Sequence, residues 1–90
     1  MKLEGSGKIW MNGRFVEWAD ANIHIASHVV HYGSGVFEGA RCYETPNGSA
    51  CFRLDAHLRR LYDSAKVYRM TYDLELSAFH DAVLETIRVN

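Results

Sequence analysis

Residues 9–18 read IWMNGRFVEW, two apolar runs on either side of Asn12-Gly13. Asn-Gly is the dipeptide that most readily takes the positive φ values of a two-residue hairpin turn, so this stretch predicts an opening β-hairpin. Downstream, Ala19 to Asn22 reads as a polar connection and Ile23-His24-Ile25 alternates like a short strand. In the SHVVHYGSG that follows, Gly33 and Gly35 mark a bend. Val36 to Tyr43, VFEGARCY, reads as a further strand. After ETPNGSA a second apolar run, Cys51-Phe52, completes another hairpin, turning on Asn47-Gly48 with Pro46 at the flank. A two-residue loop at that place sets Cys42 and Cys51 diagonally on one face, close but not opposite.

The second half of the chain is helical in pattern. Asp55 reads as the N-cap of a helix to about Met70, with Leu58, Leu61, Tyr62, Ala65 and Tyr68 on the side that docks on the sheet. Ser77 reads as the cap of a second helix to about Val89, striped by Phe79, Ala82, Val83 and Ile87. The expected fold class is α+β: two β-hairpins forming an antiparallel sheet, followed by two packed helices. No repeat, low-complexity tract or linker divides residues 1–90, so one domain is expected.

Composition narrows the function classes. With 48% hydrophobic and 23% charged residues the chain has the balance of a compact globular protein, neither disordered nor membrane-spanning. A net charge of -1 offers no general attraction to nucleic acid or to an anionic membrane, and neither is expected as a partner. The leading MKLEGSGK contains no apolar run of signal-peptide length, which makes a cytoplasmic location the expectation. Cys42 and Cys51 match neither a zinc spacing nor a secreted disulfide framework and read as free thiols.

Alternation along VFEGARCY puts Phe37, Gly39, Arg41 and Tyr43 on one face, and Val36, Glu38, Ala40 and Cys42 on the other. An aromatic ring, a residue without a side chain and a fixed cation suit a pocket wall better than a plain core, and glycine within a strand marks close approach of a ligand or another backbone. Tyr32 precedes the glycine bend, where its hydroxyl is in reach of the same cavity. Arg59 and Arg60 stand near the start of the first long helix, where the helix dipole disfavours cations. They read either as a solvated basic pair or as a fork for a phosphate, which helix amides and a guanidinium bind together. His24, His28 and His31 lack a fourth ligand, and the isoleucines around His24 argue for strand, so no metal is expected. Glu38, the one acid of the Gly-rich stretch, reads as solvated or structural. No nucleophile with a neighbouring base stands out.

Three stretches, IWMNGRFVEW, SHVVHYGSGVFEGARCY and FRLDAHLRRLYDSAKVYRM, together resemble the beginning of the bacterial branched-chain amino-acid aminotransferases, class IV aminotransferases with the D-amino-acid aminotransferase-like fold. The resemblance spans about residues 8–90, and HYGSGVFEGARCY is its most specific piece. It implies that residues 1–90 are an N-terminal small, substrate-side domain whose larger cofactor-binding domain lies outside the chain. The implied reaction moves an amino group between branched-chain amino acids and 2-oxoglutarate with pyridoxal phosphate as cofactor, in a homodimer or higher homo-oligomer.

Role by role, Phe37 resembles the aromatic wall against the substrate's aliphatic side chain, and Tyr32 the tyrosine that reaches into the neighbouring subunit's pocket. Gly39 resembles the position whose backbone passes beside the substrate, Arg41 the arginine that organises the polar edge, and Arg60 the arginine that binds the cofactor's phosphate. Arg59 is then a surface residue. No catalytic residue is assigned: the family's Schiff-base lysine belongs to the later part, Lys2, Lys8 and Lys66 match no such position, and the ninety-residue chain alone is expected to be inactive. A D-amino-acid aminotransferase or aminodeoxychorismate lyase fragment and a non-enzymatic binding module are the alternative readings.

Overall fold

The computed structural model describes residues 5–90, so Lys2 lies outside the described residues. Strands β1 (Lys8–Met11) and β2 (Arg14–Glu17) pair antiparallel, with Met11 opposite Arg14. Asn12 and Gly13 between them hold φ of 53° and 91°, the left-handed pair that the Asn-Gly dipeptide supplies. Trp18–Asp20 forms a short 3-10 turn in the polar connection.

Ile23-His24-Ile25 is not a strand: the chain turns there, with the Ser27 N–H donating to the His24 carbonyl at 2.9 Å. Three alternating residues without a neighbouring strand gain no ladder bonds. A single short helix, α1 (His28–Tyr32), follows, and it ends on Gly33 at φ 64°. Gly33 N–H closes back on the Val29 carbonyl at 2.9 Å, the left-handed stop for which glycine is suited.

The strand expected over Val36–Tyr43 forms only at its far end. β3 (Cys42–Thr45) pairs with β4 (Gly48–Cys51), whereas residues 33–41 are irregular. The turn also sits one residue earlier than the sequence reading places it: Thr45 pairs with Gly48, and Pro46-Asn47 form the tip. Gly48 follows at φ 103°, and the Thr45 hydroxyl accepts from Asn47 N–H at 3.2 Å, fixing the turn locally. Cys42 therefore stands directly opposite Cys51 rather than diagonal to it. The two hairpins are separate two-stranded sheets, so the α+β class holds while no strand pairing joins them into one sheet among the described residues.

Helices α2 (Leu54–Val67) and α3 (Leu76–Val89) start without side-chain cap hydrogen bonds, whereas α3 ends with the Asn90 side-chain amide donating to the Thr86 carbonyl at 2.8 Å. Arg53, at φ 51°, occupies the N-cap of α2, so Asp55 falls in the first turn instead, where its carboxylate lies 3.2 Å from His80 Nε2 of α3. Glu75, not Ser77, is the N-cap of α3. At the other end α2 stops three residues short of Met70. Arg69 takes φ 54°, Arg69 N–H bonds the Lys66 carbonyl and Met70 N–H the Ala65 carbonyl, each at 3.0 Å. That pair of bonds is a Schellman stop with arginine where glycine is usual.

The core is thin. Among the described residues Leu54, Leu58 and Ala65, all on α2, are the buried apolar ones, and α3 packs against both α2 and β1. A run of edge-to-face rings ties the layers together: Trp10 of β1 meets Phe79 of α3 at 6.0 Å, Phe79 meets Tyr62 of α2 at 6.1 Å, and Tyr62 meets Tyr72 at 5.1 Å. The Tyr62 hydroxyl donates to the Leu74 carbonyl at 2.7 Å, which satisfies its polar end and pins the α2–α3 connection. Tyr68, expected on the docked face, is exposed at the end of α2. No helix of the described residues is long and apolar enough to cross a membrane.

Candidate functional site

Residues 36–41 lie against α2 without forming a ladder, yet the chain's alternation survives at its first positions. Phe37 is 91% exposed, while the Glu38 side chain beside it is only 10% exposed. An extended backbone turns successive side chains to opposite sides whether or not a neighbouring strand is present. Val36, Glu38 and Ala40 line a cleft of about 410 Å³ with Leu54, His57 and Leu58 of α2, among others.

Glu38 is the centre of this arrangement. Its Oε1 lies 2.9 Å from His57 Nδ1, Arg60 Nε donates to its Oε2 at 2.9 Å, and Arg60 Nη2 donates to Oε1. His57 and Arg60 are three residues apart on α2, so one helix face presents both donors to one carboxylate. An ionised carboxylate only accepts, so the His57 Nδ1 carries the proton in this contact. The Arg60 guanidinium first, and the His57 ring second, hold the Glu38 carboxyl at about 2, well below the ordinary 4.5. The carboxylate in turn raises the pKa of Arg60.

On the outer side of the same helix end, Phe52, Arg53, Ala56, His57 and Arg60 line a second cleft of about 410 Å³. The Arg60 side chain is 68% exposed, so the Glu38 contact leaves much of the guanidinium in solvent. A guanidinium has five N–H groups; two meet Glu38, and the three that remain include both on Nη1. Because α2 begins at Leu54, Arg59 and Arg60 fall in its second turn rather than at its start. Arg53 at the N-cap and Arg60 line the same cleft, and their guanidinium donors fit a phosphate group.

The remaining predicted residues lie along one segment. Tyr32 ends α1, is 75% exposed and stacks on His28 with ring centroids 4.5 Å apart. A side chain at Gly39 would meet nothing within 4 Å. Arg41 is exposed just before β3, and its carbonyl accepts from Phe52 N–H at 2.8 Å. The structure joins Arg60 to this segment through Glu38, but it leaves Tyr32 and Phe37 open to solvent rather than walling a closed pocket. His24 and His28 are engaged locally: His24 Nδ1 accepts from Ala26 N–H at 2.9 Å, and His28 Nδ1 is hydrogen-bonded to Ser34 Oγ. Among the described residues no group of three or more His, Cys, Asp or Glu is placed to hold a metal ion.

Glu38 as the partner of Arg60, with His57 and Arg53 around it, is absent from the sequence reading. The legible half of the signal is the His57-Leu58-Arg59-Arg60 spacing, which predicts a shared face for His57 and Arg60. The other half is a contact across 22 residues, for which no local pattern exists.

No family model matches the chain. Individual proteins do. The chain is 45% identical over 90 residues, 100% of its length, to the branched-chain-amino-acid aminotransferase of Escherichia coli (strain K12), and covers 29% of that protein. Among solved structures, the T.th. branched-chain amino acid aminotransferase with pyridoxamine 5'-phosphate superposes with a TM-score of 0.90 at 46% identity, covering 93% of this chain and 28% of that one. The same enzyme complexed with N-(5'-phosphopyridoxyl)-L-glutamate gives 0.89 at 47% identity, covering 92% and 28%. The chain thus spans under a third of the length of the relatives it matches. Over its ninety residues it is homologous to the N-terminal part of the branched-chain amino-acid aminotransferases and shares the fold of that part.

Proposed function

We propose that this chain is the small, substrate-side domain of an aminotransferase that moves an amino group between branched-chain amino acids and 2-oxoglutarate, with pyridoxal phosphate held between it and a larger domain outside residues 1–90. What carries the reading is Arg60. Its guanidinium, hydrogen-bonded to Glu38 and lining a cleft with Arg53 and His57, has the donors a phosphate requires, in a fold shared with an enzyme solved with pyridoxamine 5'-phosphate. When bound, the cofactor supplies the electron sink for the carbanion chemistry.

The chain's own residues bind and orient. Arg60 holds the phosphate; Phe37, standing clear of the α2 surface, packs on the substrate's aliphatic side chain; the Gly39 backbone passes beside the substrate; Arg41 organises the polar edge. Tyr32, on α1 and exposed, reaches towards a neighbouring subunit, so the working form is a homodimer or higher homo-oligomer, in the cytoplasm. Their exposure here supports surfaces that the larger domain and a second subunit cover.

No lysine among the described residues serves as the Schiff-base residue in this reading. Lys8 is paired with Glu17, and Lys66 is exposed on α2 with its Nζ 3.9 Å from Asp63. The full-length protein is expected to convert leucine and 2-oxoglutarate to the branched-chain oxo acid and glutamate. Borohydride reduction of the ninety-residue chain with pyridoxal phosphate is expected to label no lysine stoichiometrically. A full-length protein inert towards leucine, isoleucine and valine, or one site-specific adduct on the short chain, would falsify the assignment.

A further inference from the structure

We infer that Glu38 is a positioning residue for Arg60: it takes the side-on edge of the guanidinium and thereby aims the end-on edge at the cofactor's phosphate. The inference rests on the phosphate reading of Arg60 given above and adds to it the group that makes that reading geometrically selective.

Three observations support it. First, Arg60 is a long, flexible side chain, mostly in solvent, and an arginine free to rotate presents its donors in many directions. Second, the bidentate contact engages Nε and Nη2, so the N–H groups left over lie along the Nη1–Nη2 edge, two nearly parallel donors matched to an oxyanion. Third, Glu38 is itself held. Its side chain is 10% exposed, its Oε1 bonds His57 Nδ1 at 2.9 Å, and its backbone lies in the segment laid along α2. A carboxylate fixed on both sides transmits its orientation to the guanidinium, which a solvated partner does not.

The arrangement also couples two functions through one peptide. Phe37 and Glu38 are adjacent but face opposite ways, Phe37 outward and Glu38 onto α2. A shift of this segment moves the proposed aliphatic wall and the phosphate anchor together. Against the positioning role stands a charge effect: the carboxylate offsets part of Arg60's attraction for a dianion, and on charge alone its removal strengthens phosphate binding. Geometry and charge therefore predict opposite signs for the same substitution.

The decisive measurement is a double-mutant cycle in the full-length apo-protein, titrating pyridoxal phosphate and, separately, pyridoxal, which lacks the phosphate. Glu38→Ala is expected to weaken pyridoxal phosphate about tenfold and to leave pyridoxal unchanged. In the Arg60→Ala background the same substitution is expected to add nothing. Glu38→Gln, of equal volume and with one acceptor instead of two, is expected to fall between wild type and Glu38→Ala, and serves where the alanine variant does not fold. Tighter or unchanged binding in the Glu38 variants, an equal loss for pyridoxal, or a loss that persists without Arg60 overturns the positioning role. If Arg60→Ala itself leaves pyridoxal phosphate affinity unchanged, the phosphate reading fails first and this inference with it; if Arg60→Ala weakens binding while Glu38→Ala does not, only the inference fails.

Discussion

Cys42 and Cys51 face each other across the second hairpin as a non-hydrogen-bonded pair: the flanking bond runs from Phe52 N–H to the Arg41 carbonyl, outside the two cysteines. At such positions the backbones approach most closely, about 4.5 Å between Cα atoms, which is within the range a disulfide spans. Both are free thiols in the structure.

The pair is expected to close under excess oxidised glutathione. One thiolate attacks the glutathione disulfide and releases a glutathione thiolate; the other cysteine then displaces the second glutathione, so two protein thiols are lost and two glutathione thiols appear. Burial first, and Cys42 nearby second, raise the Cys51 pKa, so exchange is expected to be slow at neutral pH and to accelerate as pH rises. Thiol titration with time reads the first expectation. Cys42→Ser should instead stop at a stable mixed glutathione adduct; loss of both thiols between molecules, as a dimer, would count against the register.

Glu38 gives an acid-sensitive contribution to stability. Its folded pKa, about 2, lies below the ordinary 4.5, so between those values the unfolded chain binds more protons and stability rises with pH. The contribution is complete above about pH 5 and is lost as pH falls through 4.5 towards 2. Urea denaturation of wild type and Glu38→Gln should give curves that differ near pH 6 and converge near pH 2. A difference that stays constant across that window shows that the effect of Glu38 is one of packing.

Leu58 is 4% exposed in a core of few buried residues, whereas Val67 on the same helix is 81% exposed. Leu58→Ala is expected to cost about 2 to 4 kcal/mol, enough to unfold much of a marginal ninety-residue chain, while Val67→Ala stays within about 0.5 kcal/mol. Circular dichroism during urea titration of the two variants measures both. Equal effects would mean that the α2 face is assigned wrongly.

Arg69 ends α2 in a left-handed conformation that costs a residue with a Cβ about 1 kcal/mol. Arg69→Gly removes that cost at a Schellman position and is expected to raise stability by several tenths of a kcal/mol or more, reduced by glycine's greater freedom when unfolded. A thermal midpoint lower than wild type is the contrary result.

The legible parts of the fold were those whose cause is local. Asn12-Gly13 announced the first turn because few dipeptides take its φ values easily, and the α2 and α3 stripes announced two helices because apolar residues spaced at 3.6 fall on one face only when the chain is helical. Endings were less legible. Arg53 and Arg69 both adopt left-handed backbone without the glycine that would signal it, and Asp55 and Ser77, good capping residues by type, sit inside the first turns of their helices. The strand expected from Val36 failed because an alternating pattern needs a partner, and only Cys42–Thr45 has one. The alternation itself still placed Phe37 and Glu38 on opposite sides.

By itself, the sequence determined the α+β class, both hairpins, both long helices and the kinship with branched-chain aminotransferases, since each rests on neighbours along the chain or on stretches long enough to be distinctive. Tertiary structure alone decided that Glu38 and His57 belong to the site. The carboxylate meets its arginine 22 residues away only because the segment after α1 is laid along the face of α2 that carries His57 and Arg60. Local propensity cannot encode a contact of that range: it depends on where two elements settle as they bury Leu54 and Leu58.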